Sequence, residues 1–237
     1  MPTLKDILAG AKNAVFFGGA GVSTESGIPD FRSVDGLYNT RYDYPPETML
    51  SRSFFDAHTA DFFRFYRDKM LYPAAAPNAA HLALAELERR GCLKAVITQN
   101  IDGLHSAAGS RNVLELHGSV ARNYCMRCRG AYPTDFVTRA EGVPLCECGG
   151  VVKPDVVLYE ESLDETVLRE AAAAVRSADV LIVGGTSLNV YPAAGLLRYY
   201  RGDSLVLINK SPTSFDSSAN LLIRGSIGQT LHEAVFG

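Results

Sequence analysis

A glycine-rich run that directly follows a short apolar stretch constrains the fold of this chain more than any other feature. Residues 15–17 (VFF) are β-branched or aromatic, which indicates a buried strand. The run GGAGVSTESGIPDFR follows at 18–32, and glycines let backbone amides approach a diphosphate closely. The spacing Gly19-x-Gly21-x-x-Thr24 lacks the third glycine of the dinucleotide fingerprint. The glycines alone therefore fit either a nucleotide-binding loop or an ordinary tight turn.

The end of this run adds groups that suit a nucleotide. Phe31 could cover a flat ring, and Arg32 could bind a phosphate oxygen or a ribose hydroxyl. Both residues follow Pro29, which makes the turn rigid. The continuation of the run therefore favours the nucleotide-binding loop.

Polar residues also follow two later apolar runs. Residues 93–98 (LKAVIT) predict a second buried strand, and QNIDGLH follows at 99–105. Asn100 and Asp102 could bind a ligand at the carboxyl end of this strand or form an Asx-turn that caps the next helix. A third strand over 113–116 ends at His117, whose imidazole has the pKa range of a general base.

Apolar runs alternate with helical patterns along most of the chain. This alternation predicts an α/β fold with a doubly wound, Rossmann-like parallel sheet. Further strands are expected at 151–159, 180–183, 205–208 and 221–227, and helices at 4–11, 78–90, 164–177 and 229–235. The aromatic-rich stretch at 33–72 predicts a loop and helices that form a small core of their own. The unusual residues at the strand ends would meet in one crevice.

Four of the five cysteines lie in two close pairs, Cys125-x2-Cys128 and Cys146-x-Cys148. Four thiolates suit one tetrahedral Zn²⁺, and a complete cysteine set predicts a structural ion with no open position for water. The second pair has one intervening residue where two are usual. A redox dithiol is the alternative. Cys92 is expected to be a small core residue.

Composition excludes several classes of protein. The formal charge of −3 argues against direct binding of nucleic acid. No apolar run approaches the roughly 20 residues that span a bilayer, which predicts no membrane contact. The first residues lack a secretion signal, and clustered thiols favour a reducing compartment, so we expect a cytoplasmic protein. We also expect a monomer.

Three motifs together resemble the signatures of the sirtuin family, the NAD-dependent protein-lysine deacylases, in their short bacterial form. They are the run at 19–32, TQNIDGLH at 98–105, and His117-Gly118. The resemblance implies a Rossmann-like NAD-binding domain at 1–37, 76–120 and 152–237. It also implies a small domain made of a helical insertion at 38–75 and a zinc-binding insertion at 121–151.

The resemblance also implies roles for individual residues. His117, Asn100 and Asp102 would be catalytic. NAD would contact Gly19, Ala20, Gly21, Thr24, Phe31, Arg32, Gln99, Asn100, Ile101, Asp102, His117, Thr186, Ser187, Asn209 and Ile227. An acetyl-lysine peptide would contact Val157, Tyr159, Glu160, Leu188, Asn189 and Val190, by pairing as an added strand. Zinc would be held by Cys125, Cys128, Cys146 and Cys148.

The implied reaction removes acetyl from lysine and yields nicotinamide and O-acetyl-ADP-ribose. Sirtuins that prefer succinyl or malonyl groups carry a Tyr and an Arg three residues apart, whereas here Lys69 lies three residues after Tyr66. Lysine lacks the planar fork of arginine, so we predict a deacetylase. The alternatives are an NAD-dependent ADP-ribosyltransferase, a non-catalytic sensor of NAD and acyl-lysine, and an ordinary Rossmann oxidoreductase.

Overall fold

The computed structural model describes residues 2–30 and 44–237. Phe31 and Arg32, two of the residues predicted to bind NAD, lie outside this part of the chain. No helix among the described residues is both long and apolar enough to cross a membrane.

The described residues form a six-stranded parallel sheet. Its strands are β1 (Ala14–Gly18), β2 (Leu93–Thr98), β3 (Val113–Glu115), β7 (Val180–Gly184), β8 (Ser204–Ile208) and β9 (Leu221–Ile223). They lie in the order β3-β2-β1-β7-β8-β9. The chain order reverses between β1 and β7, so a crevice is expected at the carboxyl ends of these two strands. The predicted doubly wound α/β sheet is confirmed.

Helices cover both faces of this sheet. The α-helices of the described residues are α1 (Leu4–Gly10), α2 (Pro46–Met49), α3 (Arg52–Ala57), α4 (Thr59–Lys69), α5 (Ala79–Arg89), α6 (Leu104–Ala107), α7 (Thr134–Thr138), α8 (Glu165–Ser177) and α9 (Ile227–Phe236). Phe16 packs on one face with α1, α5 and α9, while Phe17 packs on the other with α8. Successive side chains of a strand point to opposite faces, so the VFF run serves two cores.

Two strand predictions need correction. The stretch 151–159 does not join the main sheet, because β6 (Val152–Val156) pairs antiparallel with β4 (Gly118–Cys125). With β5 (Ala131–Tyr132), these strands make a separate three-stranded sheet in the order β5-β4-β6. The last strand is also shorter than predicted, since β9 ends at Ile223 and Ile227 begins α9.

A third core joins the helices after residue 44 to the cysteine-bearing segment. Phe54, Phe62 and Phe65 pack in one cluster with Cys125 and Val152. The aromatic rings meet mostly edge to face; Phe55 and Phe62, for example, lie 4.9 Å apart at 87°. The predicted aromatic core is confirmed for residues 44–72, and the cysteine-bearing segment contributes to the same core. The two stretches therefore form one packed unit.

Candidate active site

One large cavity lies at the carboxyl ends of the parallel strands. Its volume is about 1510 Å³, and residues of the three-stranded sheet and of the end of α4 are part of its lining. It is lined by predicted NAD-binding residues, namely Gly19, Ala20, Gly21, Thr24, Gln99, Asn100, Ile101, Asp102, His117, Thr186, Ser187, Asn209 and Ile227. Four residues predicted to bind the peptide also line it, namely Val157, Tyr159, Glu160 and Val190. The strand ends therefore converge as predicted.

The glycine-rich run packs against the end of β7 at close range. The Gly21 amide donates to the Gly185 carbonyl oxygen at 2.8 Å. A Cβ added to Gly21 would lie 2.8 Å from the Gly185 Cα, and one added to Gly19 would lie 2.9 Å from the Thr186 Cβ. Gly185 itself has a φ of +60°. Glycine at 19 and 21 therefore lets the loop pack directly on the end of β7, and the two together form a cradle that lines the cavity where a dinucleotide could lie.

Ser23 links the two polar residues that follow β2. The Asn100 side-chain amide donates to Ser23 Oγ at 3.0 Å, and Ser23 Oγ donates to Asp102 Oδ2 at 2.6 Å. The Leu104 amide donates to the other carboxylate oxygen at 2.9 Å. Asp102 therefore forms the predicted Asx-turn, and both Asn100 and Asp102 also line the cavity, where they could bind a ligand. Sequence analysis missed Ser23, although it lies within the glycine-rich run.

His117 lies on the cavity wall beyond β3. Its Nδ1 atom is 2.9 Å from the Gln99 carbonyl oxygen. A carbonyl oxygen only accepts, so Nδ1 carries the proton and Nε2 keeps a free lone pair. Burial lowers the pKa of His117, and the bond to Gln99 opposes this in part. The imidazole is therefore held as a neutral base with a fixed orientation.

A pair of buried histidines, His81 and His105, lies close to Asp102. The rings of His81 and His105 are 4.7 Å apart, and both side chains are buried. Burial lowers the pKa of both, to about 3 for His105. His81 Nδ1 accepts from the Asn78 amide, which caps α5. Both rings are therefore neutral, and neither places a competing cation beside the Asp102 carboxylate.

Thr186, which follows β7, is hydrogen-bonded to the residues that follow β2 and β8. Its hydroxyl accepts from the Gln99 side-chain amide at 3.0 Å, and its carbonyl accepts from the Asn209 side-chain amide at 2.7 Å. Two residues on, the Leu188 side chain is buried in the core, so only its backbone could face a substrate. Asn189 is exposed, and neither residue lines the cavity among the described residues.

Residues 157–160, which follow β6, join His117 to the helical unit, the stretch 44–73 that contains α2, α3 and α4. The Val157 amide donates to the His117 carbonyl, and the Tyr159 amide donates to the Leu50 carbonyl, each at 3.0 Å. The Arg52 amide returns a bond to the Tyr159 carbonyl at 2.9 Å. Glu160 has a φ of +74°, and its carboxylate accepts from the backbone amide and hydroxyl of Ser53. This segment is therefore fixed along its length.

Glu161 holds the turn that ends this segment. Its carboxylate accepts from the Leu158 amide at 2.8 Å, and it pairs with Lys153 at 3.2 Å and with Arg52 at 3.1 Å. Lys153 is mostly buried and also donates to the Val156 carbonyl at 2.8 Å. A buried charge of this kind is stable only when it is paired and hydrogen-bonded.

The helical unit supplies a wall of the cavity that sequence analysis did not assign. Residues Lys69, Met70, Leu71, Tyr72 and Pro73 line it. Tyr66, by contrast, is fully buried in the aromatic core and does not line the cavity. The wall is mainly apolar and carries one cation, Lys69, beside Asp68 at 3.1 Å.

The four cysteines of the two pairs meet at one point, away from the cavity. The sulfurs of Cys125, Cys128, Cys146 and Cys148 all lie within 4.8 Å of one another. Backbone amides of the first turn donate to Cys125 and lower the pKa of its thiol to about 6. Four sulfurs at this spacing could hold one tetrahedral zinc ion, with no position left for water.

Known proteins of similar sequence belong to one family of NAD-dependent enzymes. The profile of the Sir2 family matches residues 19–192. An NAD-dependent protein deacetylase of Clostridium acetobutylicum is 58% identical, over 98% of this chain and 96% of its own length. The corresponding protein of Clostridium perfringens is also 58% identical, over 98% and 97%.

Solved Sir2 structures have the same fold. One from work on the mechanism and regulation of Sir2 enzymes has a TM-score of 0.87 at 44% identity, over 98% of this chain and 94% of its own. A Sir2 variant with a deacetylated p53 peptide and 3′-O-acetyl-ADP-ribose has a TM-score of 0.87 at 40% identity, over 96% and 94%. The strand-end cavity and the cysteine cluster agree with the family profile and with these relatives, which match over nearly their full length. The chain is therefore a member of the Sir2 family, the sirtuins.

Proposed function

We propose that this chain is an NAD-dependent protein-lysine deacetylase, which moves the acetyl group of an acetyl-lysine side chain to NAD. With one water consumed, the products would be free lysine, nicotinamide and O-acetyl-ADP-ribose. The observation that carries the proposal is His117, a neutral histidine on the cavity wall whose Nδ1 is bonded to the Gln99 carbonyl. A protein that only binds NAD and acyl-lysine has no need of an oriented base.

The chain's own residues would bind and orient the reactants. NAD, when bound, supplies a glycosidic carbon from which nicotinamide departs. The glycine cradle at Gly19 and Gly21 would face the diphosphate, with Thr186 nearby. Asn100 and Asp102, tied together through Ser23, would hold the nicotinamide carboxamide and an ordered water. His117 would accept a proton from a ribose hydroxyl at its free Nε2.

The acetyl-lysine would enter from the other side of the cavity. Segments 157–160 and 188–190 would pair with the peptide backbone as neighbouring strands. Val157, Tyr159, Glu160 and Val190 support this because they line the cavity. The Sir2 structures with p53 peptide support a peptide substrate. The wall formed by residues 69–73 is mainly apolar, and its one cation, Lys69, is paired with Asp68, so it suits an uncharged acetyl group better than a carboxylate.

We also propose a domain organisation, a cellular location and an oligomeric state for the protein. Residues 1–37, 76–120 and 152–237 would form the NAD-binding domain, and 38–75 with 121–151 the small domain. The shared aromatic and cysteine-bearing core supports the second grouping. Free cysteines suit a reducing compartment, so we place the protein in the cytoplasm, as a monomer that binds neither nucleic acid nor membrane.

Mass spectrometry of an acetyl-lysine peptide, with and without NAD, tests the function. We expect NAD-dependent loss of acetyl together with equimolar nicotinamide, and no loss with His117→Ala. ADP-ribose attached to protein, without acetyl loss, would instead indicate a transferase. Appearance of NADH absorbance would indicate an oxidoreductase. NAD binding without turnover on acetyl or longer apolar acyl peptides would leave a sensor.

A further inference from the structure

The two cysteine pairs of the metal site differ in length but have similar turns. The second sulfur of each pair accepts from the backbone amide of the glycine two residues further on, Gly130 for Cys128 and Gly150 for Cys148. The carbonyl of each first cysteine accepts from an amide in its own turn, at 3.0 Å and 2.8 Å. The difference between the pairs therefore lies at the sulfurs of the first cysteines.

The longer pair gives its first sulfur two backbone hydrogen bonds. Cys125 Sγ accepts from the amides of Arg127 and Cys128, each at 3.4 Å. The shorter pair gives Cys146 Sγ one backbone hydrogen bond, from the Cys148 amide at 3.5 Å. Since a metal-bound thiolate carries negative charge, the donors around it determine how well that charge is stabilised. The shorter pair is one donor short.

A side chain from outside the pair supplies the second donor. The Tyr132 hydroxyl donates to Cys146 Sγ at 3.0 Å. Tyr132 ends β5, where it is in register with Asn123 of β4, and its ring lies 4.3 Å from that of Phe136. The sheet and the ring contact fix the direction of the phenol. Cys125 and Cys146 thus each accept two hydrogen bonds.

We propose that Tyr132 is a positioning residue of the zinc site, whose hydroxyl replaces the backbone amide that the shortened Cys146–Cys148 pair does not provide. The proposal extends the zinc assignment of the four cysteines and does not depend on the deacetylase reaction. A pair with two intervening residues would not need the phenol, because its own backbone supplies both donors, as it does at Cys125.

Zinc release from the full-length protein tests this. The zinc-loaded protein is mixed with a chromophoric chelator, 4-(2-pyridylazo)resorcinol, and the release rate is measured for wild type and Tyr132→Phe. Tyr124→Phe is the control, since it removes a phenol from the neighbouring strand β4. A third variant carries one glycine inserted between Glu147 and Cys148, with and without Tyr132→Phe.

We expect Tyr132→Phe to lower zinc affinity roughly tenfold and to speed release accordingly, with Tyr124→Phe close to wild type. In the glycine-insertion background, Tyr132→Phe should have little effect. The cobalt-loaded protein should show a shifted thiolate-to-metal charge-transfer band in Tyr132→Phe, which a purely packing role of the ring would not cause.

Two results would overturn the proposal. Equal release and equal cobalt spectra for wild type and Tyr132→Phe would show that the hydroxyl does not act on the site. A Tyr132→Phe effect of the same size in the insertion background would show that the phenol does not replace the missing amide. A wild-type protein that contains no zinc would refute the zinc assignment itself. If that protein still deacetylates the acetyl peptide, the zinc assignment fails while the proposed function stands.

Discussion

Nδ1 of His117 and the backbone carbonyl oxygen of Gln99 lie 2.9 Å apart, which joins the end of β3 to the end of β2. The contact fixes the ring and determines which nitrogen carries the proton. Because Gln99 precedes Asn100, the candidate base and the Asn100–Ser23–Asp102 hydrogen bonds are held by one short loop.

The pH dependence of activity should reflect the burial of His117. Its pKa is lowered from an ordinary value of 6.5, so the neutral base is the main form at and above that pH. Activity should therefore fall only as the pH drops below 6.5, when the ring takes up a proton. A profile of kcat/KM against pH for an acetyl peptide measures this. An acid limb centred above pH 7 would contradict it.

Replacing Ser23 by alanine should impair NAD-dependent turnover without loss of the fold. The change removes a hydroxyl that is 1% exposed and leaves Asn100 and Asp102 each without one partner. We expect kcat/KM for NAD to fall roughly 10- to 100-fold. Steady-state kinetics with varied NAD measure this. Ser106→Ala, on the exposed side of α6, is the control and should leave the kinetics unchanged.

Replacing Glu161 by glutamine should act on the peptide more than on NAD. The carboxylate holds the turn after segment 157–160 and pairs with Lys153. Glutamine carries no charge, so the mostly buried Lys153 ammonium would lose this ion pair. We expect KM for the acetyl peptide to rise roughly three- to tenfold, with KM for NAD nearly constant.

The control for this change is Glu165→Gln, which removes a carboxylate from the same cavity at the start of α8. It should leave both KM values near those of wild type. Equal effects of Glu161→Gln on the two substrates would show that Glu161 maintains the whole cavity and does not specifically position the peptide segment.

Gly21→Ala should disrupt the cradle. The added methyl would lie 2.8 Å from the Gly185 Cα and 2.9 Å from its carbonyl oxygen, both backbone atoms that cannot turn aside. We expect a loss of about 1–3 kcal/mol in the free energy of unfolding and weaker NAD binding. Denaturant unfolding and calorimetric NAD titration measure the two effects.

Gly10→Ala is the matched control, because its added Cβ would meet nothing within 4 Å. Gly10 ends α1, so alanine there should be neutral or slightly stabilising. If both alanine variants unfold alike and bind NAD alike, the close approach of residues 21 and 185 is not what limits the site.

The sequence predicted the strand ends well, because parallel strands bury continuous apolar runs whose polar ends are easy to recognise. Residues 15–17, 93–98, 180–183 and 205–208 are strands of the parallel sheet, as expected. The sheet for 151–159 was assigned wrongly, since an apolar run indicates a buried strand but does not identify the neighbouring strand.

The residue types at the strand ends and the four cysteines were determined by the sequence itself. The tertiary structure alone decided which of them touch. Ser23 bridges Asn100 and Asp102 across 77 and 79 positions of the chain, and Glu161 finds Arg52 109 positions away. Tyr132 reaches Cys146 only because β5 pairs with β4. Local patterns record how each residue is buried, but hydrogen bonds between distant residues depend on how the elements pack.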